Sequence, residues 1–206
     1  MGAKARVVGA VVAALALAVA TLVVVLSLTG DEDERASYRG SLVPPGIMLG
    51  QFELRDYTGV RVSREDLEGK VVLLTFLESK CNEACPIIAS QVARTIERLT
   101  PEERRQVVAI AISTHPRDDT PANVRAFLRA RRAEGKLHYL VGSEPELRPV
   151  WERFGVLSAL DSGDADTHSA SVHVYDRSGE WVASLHPGID LTVANLVHDV
   201  GVASQS

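Results

Sequence analysis

An α/β domain with two parallel strands at its centre is the fold class that the sequence predicts, and three observations predict it. Val71-Val72-Leu73-Leu74-Thr75-Phe76-Leu77 and Val107 to Ile112 are short, almost wholly apolar runs, as expected of strands buried on both faces. Between them Ile88, Val92, Ile96 and Leu99 recur at helical spacing, so the runs are joined by a helix that crosses over between parallel neighbours. Near the C-terminus Ser171 to Tyr175 and Trp181 to Leu185 flank Asp176-Arg177-Ser178-Gly179, the pattern of an antiparallel hairpin.

Taken in order, the chain opens on an uncharged stretch from Val7 to Leu28, long enough to cross a bilayer. Lys4 and Arg6 precede it and Asp31-Glu32-Asp33-Glu34 follow it. The positive-inside rule then puts the N-terminus in the cytoplasm and the rest outside. A single uncleaved transmembrane helix is the expectation, with a cleaved signal peptide as the alternative; the apolar core is long for the latter and no lipobox cysteine follows. The expected organisation is an anchor over 1–30, a linker over 31–45, and one domain over 46–206. The localisation this implies is a single-pass cell-membrane protein with an extracytoplasmic domain.

Within the domain, Phe52 to Leu54 and Val60 to Val62 flank the turn Asp56-Tyr57-Thr58-Gly59 and read as a hairpin. Ser63 and Asp66 can cap a short helical turn before Gly69-Lys70. Thr120 as N-cap with Pro121 behind it opens a helix whose buried face is Val124, Phe127 and Leu128. Leu137 to Val141 is a short strand, and Ser143 with Glu146 begins another helix, through Leu147, Val150, Trp151 and Phe154, that Gly155 can stop. Asp161 to Thr167 is polar and reads as a loop. Asp190 is expected to start a last helix ending near Gly201, with Val193, Leu196, Val197 and Val200 on its face. This order is that of a thioredoxin-like α/β domain with an N-terminal hairpin extension.

The chemistry centres on Ser79-Lys80-Cys81-Asn82-Glu83-Ala84-Cys85-Pro86, which holds both cysteines of the chain. Pro86 suits a first helical turn, so the cysteines sit where a strand gives way to a helix. Free N–H groups and the helix dipole there favour thiolates, which act as nucleophiles or soft metal ligands. At four residues apart the sulfurs can close a disulfide or grip one ion. A bridge over so short a loop would add little stability, so redox or metal chemistry is favoured over a structural disulfide. Two thiolates and one neutral imidazole would make a three-coordinate site suited to copper, whereas zinc more usually takes four ligands. Among the six histidines, His168 stands in the loop that faces the cysteines in thioredoxin-like domains. His138, His173 and His198 read as structural or surface residues, and His186 has no evident role. The net charge of −5, with no basic cluster beyond Arg129, Arg131 and Arg132 on a helix, excludes a nucleic-acid footprint.

From Pro45 to about Val200 the chain resembles the SCO/SenC family of membrane-anchored copper chaperones. The matching pieces are Gly69-Lys70 before the apolar strand, Cys81 and Cys85 in the pattern CxxxCP, Asp119-Thr120-Pro121 after a strand ending at Ser113, and His168-Ser169 before the hairpin. The resemblance implies that Cys81, Cys85 and His168 are copper ligands and that the task is metallation of the binuclear copper site of cytochrome c oxidase subunit II. The exported location calls for a thiol reductant to keep the cysteines reduced. Under this reading no catalysis is required; the alternative is an extracytoplasmic thiol-disulfide oxidoreductase in which Cys81 and Cys85 are the redox pair. Departures from the family pattern are Asn82-Glu83 where Pro-Asp is usual, and His115 and Thr167 where Asp is common. His115 is thereby a candidate fourth ligand, against the plainer reading of a polar loop residue.

Overall fold

The structure is a computed structural model that describes residues 2, 13–21, 37–156 and 170–206. The chain forms two compact units, 1–37 and 38–206. In the first, residues 13–21 are helical, and Thr21 Oγ1 donates to the carbonyls of Leu17 and Ala18. No helix among the described residues is long and apolar enough to cross a membrane. Most of the apolar stretch from Val7 to Leu28 lies outside the described residues.

The second unit is built on one eight-stranded sheet in the order β1-β8-β7-β4-β5-β6-β2-β3. Its strands are β1 (Ser41–Leu42), β2 (Glu53–Asp56), β3 (Arg61–Ser63), β4 (Val71–Leu77), β5 (Val107–Ser113), β6 (His138–Val141), β7 (Val172–Tyr175) and β8 (Trp181–Leu185). Its helices are α1 (Ala84–Arg98), α2 (Pro101–Gln106), α3 (Pro121–Ala130), α4 (Glu144–Phe154) and α5 (Val193–Ala203), numbered within this unit. The two apolar runs pair in parallel from Val71 beside Val107 to Leu77 beside Ser113. β7 runs antiparallel to β4, and β8 antiparallel to β7. This is the expected thioredoxin-like arrangement. The hairpin β2-β3 extends the same sheet, because Arg55 and Asp56 pair with Val141 and Leu140 of β6.

Strand alternation divides the core into two layers. Val71, Leu73 and Leu77 of β4 face Ile88, Val92 and Ile96 of α1, Val124 and Leu128 of α3, and Leu196 and Val200 of α5. Val72, Leu74 and Phe76 face the other way, onto Leu147, Val150 and Trp151 of α4 and onto Phe52 and Leu67. Burying each such side chain stabilises the fold by about 1.5–3 kcal/mol. The expected caps form: Ser63 N and Oγ donate to Asp66 Oδ2 at 2.8 Å, Thr120 Oγ1 caps α3, and Gly155 closes α4 at φ 64°.

Three local readings differ from the structure. Ser41 and Leu42, in the stretch read as linker, pair with Ser184 and Ala183 of β8, and Asp199 carboxylate oxygens accept the N–H groups of Arg39 and Gly40 just before them. Helix α2 was not expected, although Thr100, Pro101 and Glu103 make a capping box with proline in the first turn. Asp190 does not start the last helix. Its carboxylate accepts from the backbone of His186 and its carbonyl from Asn195 Nδ2, while Thr192 caps α5, which continues past Gly201 to Ala203.

Candidate metal centre

At the C-terminal end of β4 the chain turns from strand into α1 over six residues, and that turn carries Cys81. The Cys81 N–H donates to Glu78 O at 3.3 Å, curling the backbone so that Cys85 arrives in the first turn of α1. Both cysteines are free thiols; Cys85 is buried and Cys81 half-buried against the α1 side of the core. Their side chains are hydrogen-bonded to each other.

Position at a helix start led to the expectation of thiolates, and for Cys85 the balance runs the other way. The hydrogen bond with Cys81, then burial, push the Cys85 thiol well above its ordinary range, against a hydrogen bond from the Glu78 backbone that acts in the opposite sense. At Cys85 the neighbouring sulfur and burial outweigh the helix start, so this side chain stands as a thiol beside Cys81.

Two further networks fix the turn. Asp119, 3% exposed, accepts the Ser79 N–H through Oδ1 at 2.7 Å and the Ser113 hydroxyl through Oδ2 at 2.6 Å. The Tyr139 hydroxyl lies 2.9 Å from the same Oδ2 and 2.8 Å from Leu77 O. Burial, and then the neighbouring Asp119 charge, hold that phenol well above its usual range, so it stays a donor. On the surface Lys80 Nζ reaches Asp118 Oδ1 at 2.5 Å, and His115 Nδ1 lies 3.0 Å from Asp118 Oδ2. Lys80, at hand as hydrogen-bond donor and positive charge, keeps the Asp118 carboxyl below the usual carboxylate range.

Of the residues the sequence singled out, Cys81 and Cys85 are brought together. His115 instead joins Glu78 and Asp118, whose ligand atoms and its own lie within 4.8 Å of one another. His168 lies outside the described residues. The chain re-enters the described fold at Ala170, which packs on the same core face as Cys81, and Thr75 Oγ1 of β4 donates to Ser171 O at 2.8 Å. The antiparallel register of β7 with β4 makes that entry point the cysteine end of the sheet. His173 is buried on the opposite face, stacked on Trp181 with ring centroids 4.2 Å apart, and burial pushes its imidazole down to about 4. His138 is exposed at the start of β6, His198 lies 3.0 Å from Asp199, and His186 is partly exposed beside Asp190. Sequence reasoning did not single out Tyr139 or Lys80, and it noted Asp119 only as part of a turn. An acid immediately before a Thr-Pro helix start was the available signal for Asp119.

The SCO1/SenC family model matches residues 43–200. A SCO2-like protein of Rickettsia typhi is 25% identical over 179 residues, covering 84% of this chain and 86% of its own length. The structure of Bradyrhizobium japonicum ScoI with copper bound superposes with a TM-score of 0.58 at 26% identity, over 75% of this chain and 98% of that one. BsSco, a member of the Sco family of cytochrome c oxidase assembly proteins in which a disulfide switch has been identified, shares the fold with a TM-score of 0.66 at 21% identity, over 81% of this chain and 97% of its own. The free cysteine pair at a strand-to-helix turn of a thioredoxin-like sheet, together with these matches, establishes that the chain belongs to the SCO1/SenC family.

Proposed function

We propose that the protein is a membrane-anchored copper chaperone that carries its metal on Cys81, Cys85 and His168 and delivers it to the binuclear copper site of cytochrome c oxidase subunit II. The observation that carries the reading is the pair of free, mutually hydrogen-bonded thiols at the start of α1. Two adjacent sulfur donors suit Cu(I), a soft ion. His168 stands two residues before Ala170, where the chain enters the sheet at the cysteine end, which supports an imidazole as third donor. Copper is cargo here: the ion displaces the Cys85 thiol proton on arrival, and the acceptor's ligands replace Cys81 and Cys85 in turn on departure. The apolar stretch from Val7 to Leu28 supports an anchor with the domain outside the cytoplasm, where a thiol reductant is needed to keep the pair open.

The different exposure of the two sulfurs favours one second reading, thiol-disulfide exchange. The half-buried Cys81 thiolate would attack a partner disulfide, forming a mixed disulfide and releasing one partner thiol. The buried Cys85 would then attack Cys81 Sγ, closing the intrachain disulfide and releasing the second thiol, so that the partner gains the two electrons this pair loses.

The test is a Cu(I) titration of the reduced full-length chain against a calibrated competing chelator, with Cys81→Ala, Cys85→Ala and His168→Ala alongside. Tight one-to-one binding weakened by each substitution is expected. Unchanged affinity in His168→Ala would remove the imidazole from the site. Absence of tight binding in the unaltered chain, with the thiols still reducing model disulfides, would favour exchange chemistry.

A further inference from the structure

Ser79 is the second residue of the six-residue turn between β4 and α1 and stands two residues before Cys81, so its N–H is a point at which the sulfur-bearing turn is held. What holds it is a side chain from another loop. Asp119 takes that N–H at 2.7 Å, the Ser113 hydroxyl at the end of β5 at 2.6 Å, and stands 2.9 Å from the Tyr139 hydroxyl on β6. The turn bearing Asp119 is itself fixed: its N–H donates to His115 O at 3.0 Å, and Asn123 Nδ2 donates to the carbonyl of Asp118 at 2.7 Å. Trp151 Nε1 donates to Ser113 O, which secures the end of β5 from the other core layer. A carboxylate accepts through both oxygens, and here the Ser79 N–H and the Ser113 hydroxyl donate to it while the single Tyr139 hydroxyl proton is divided between Asp119 Oδ2 and Leu77 O.

We propose that Asp119 is a positioning residue for the cysteine pair: by holding the Ser79 N–H against the end of β5 and the Tyr139 hydroxyl of β6, it sets where Cys81 leaves the sheet and hence how the two sulfurs meet a metal or each other. This rests on the copper reading and adds to it a residue outside the donor set. Asp119→Ala removes the acceptor and frees the turn, whereas Asp119→Asn keeps one oxygen for Ser79, and the hydroxyls of Ser113 and Tyr139 can rotate to accept from its amide.

The test uses the reduced full-length chain and two readouts: Cu(I) affinity by chelator competition, and the midpoint potential of the Cys81–Cys85 dithiol/disulfide couple, which needs no copper. Asp119→Ala is expected to weaken copper binding about 10 to 100-fold, as losses behind a ligand do, and to shift the potential. Asp119→Asn should retain affinity within about threefold. Leu196→Ala, in the buried face of α5 and outside this network, serves as a destabilised control that should change neither readout. Ser79→Pro deletes the donor while leaving the Ser113 and Tyr139 contacts of Asp119 and should reproduce the Asp119→Ala losses, whereas Ser79→Ala, which loses only the hydroxyl contact to Asp118 O, should not, so the test stands even where Asp119→Ala fails to fold. Folded Asp119→Ala with both readouts unchanged would overturn the proposal; so would an equal loss in Leu196→Ala, or equal losses in Asp119→Asn and Asp119→Ala, which would make charge and not position the cause. Should the unaltered chain bind no Cu(I) tightly, the copper reading fails by itself, and the potential alone decides the role of Asp119.

Discussion

Asp118 and Asp119 are neighbours on one turn, both tied to the cysteine loop, and they work in opposite environments. Asp118 reaches outward to Lys80, itself largely exposed, while Asp119 points inward with 3% exposure and gathers an amide and two hydroxyls. The ion pair looks like the stronger tie and is the weaker one. In water each partner is solvated when apart, and salt screens what attraction is left. The buried carboxylate has no such alternative: a donor removed from it leaves a buried oxygen without a partner. The difference teaches that the cysteine turn is held from below, through Ser113 of β5 and Tyr139 of β6, while its surface contacts face solvent.

The largest effect that would sharpen this contrast is loss of the sulfurs themselves. Cys81→Ala or Cys85→Ala should abolish tight Cu(I) binding in chelator competition, because a single thiolate and an imidazole are a poor match for a soft ion that prefers sulfur. Next comes a buried group away from the site. His173, held neutral by burial with an imidazole pushed down to about 4, gives up stability as pH falls, since the unfolded chain takes up a proton near 6.5 and the folded one does not. About 3 kcal/mol should be lost between pH 6.5 and 4 on this account. Urea midpoints measured across that range should fall more steeply for the unaltered chain than for His173→Phe.

A third effect is read in the copper affinity itself. Because the Cys85 thiol is held above its ordinary range by Cys81 and by burial, copper must displace that proton, so the conditional affinity should rise about tenfold for each pH unit from this proton alone. A flat profile between pH 6 and 9 would mean that the pair is already fully ionised. The smallest effect belongs to the surface. Lys80→Ala should alter Cu(I) affinity by less than about twofold, and that little should vanish at high salt. A larger loss than that caused by Asp119→Ala would break the comparison.

Much of this was legible in the sequence where a residue's role is local. The apolar runs of β4 and β5, the helical spacing after Cys85, and the caps at Ser63, Thr120 and Ser143 act over a few neighbours, and all appear in the structure. The cysteine turn was legible for the same reason. What spacing cannot display is partnership across the fold. Asp119 and Tyr139 are 20 positions apart, and Asp119 and Ser79 are 40, and they meet because β4, β5 and β6 lie side by side in one sheet. The ionisation of Cys85 was misjudged because the helix start is visible in sequence, while its burial and its hydrogen bond with Cys81 are products of packing. Likewise Asp190 has the composition of a cap, but the turn at His186 claims its carboxylate and leaves the cap to Thr192.

The central claim is that copper sits on Cys81, Cys85 and His168, and X-ray absorption at the copper K-edge of the Cu(I)-loaded full-length chain tests it most directly. The account predicts a three-coordinate ion with two sulfur scatterers and one nitrogen, the imidazole contribution vanishing in His168→Ala. Two-coordinate sulfur-only copper, identical in the unaltered chain and in His168→Ala, would contradict it.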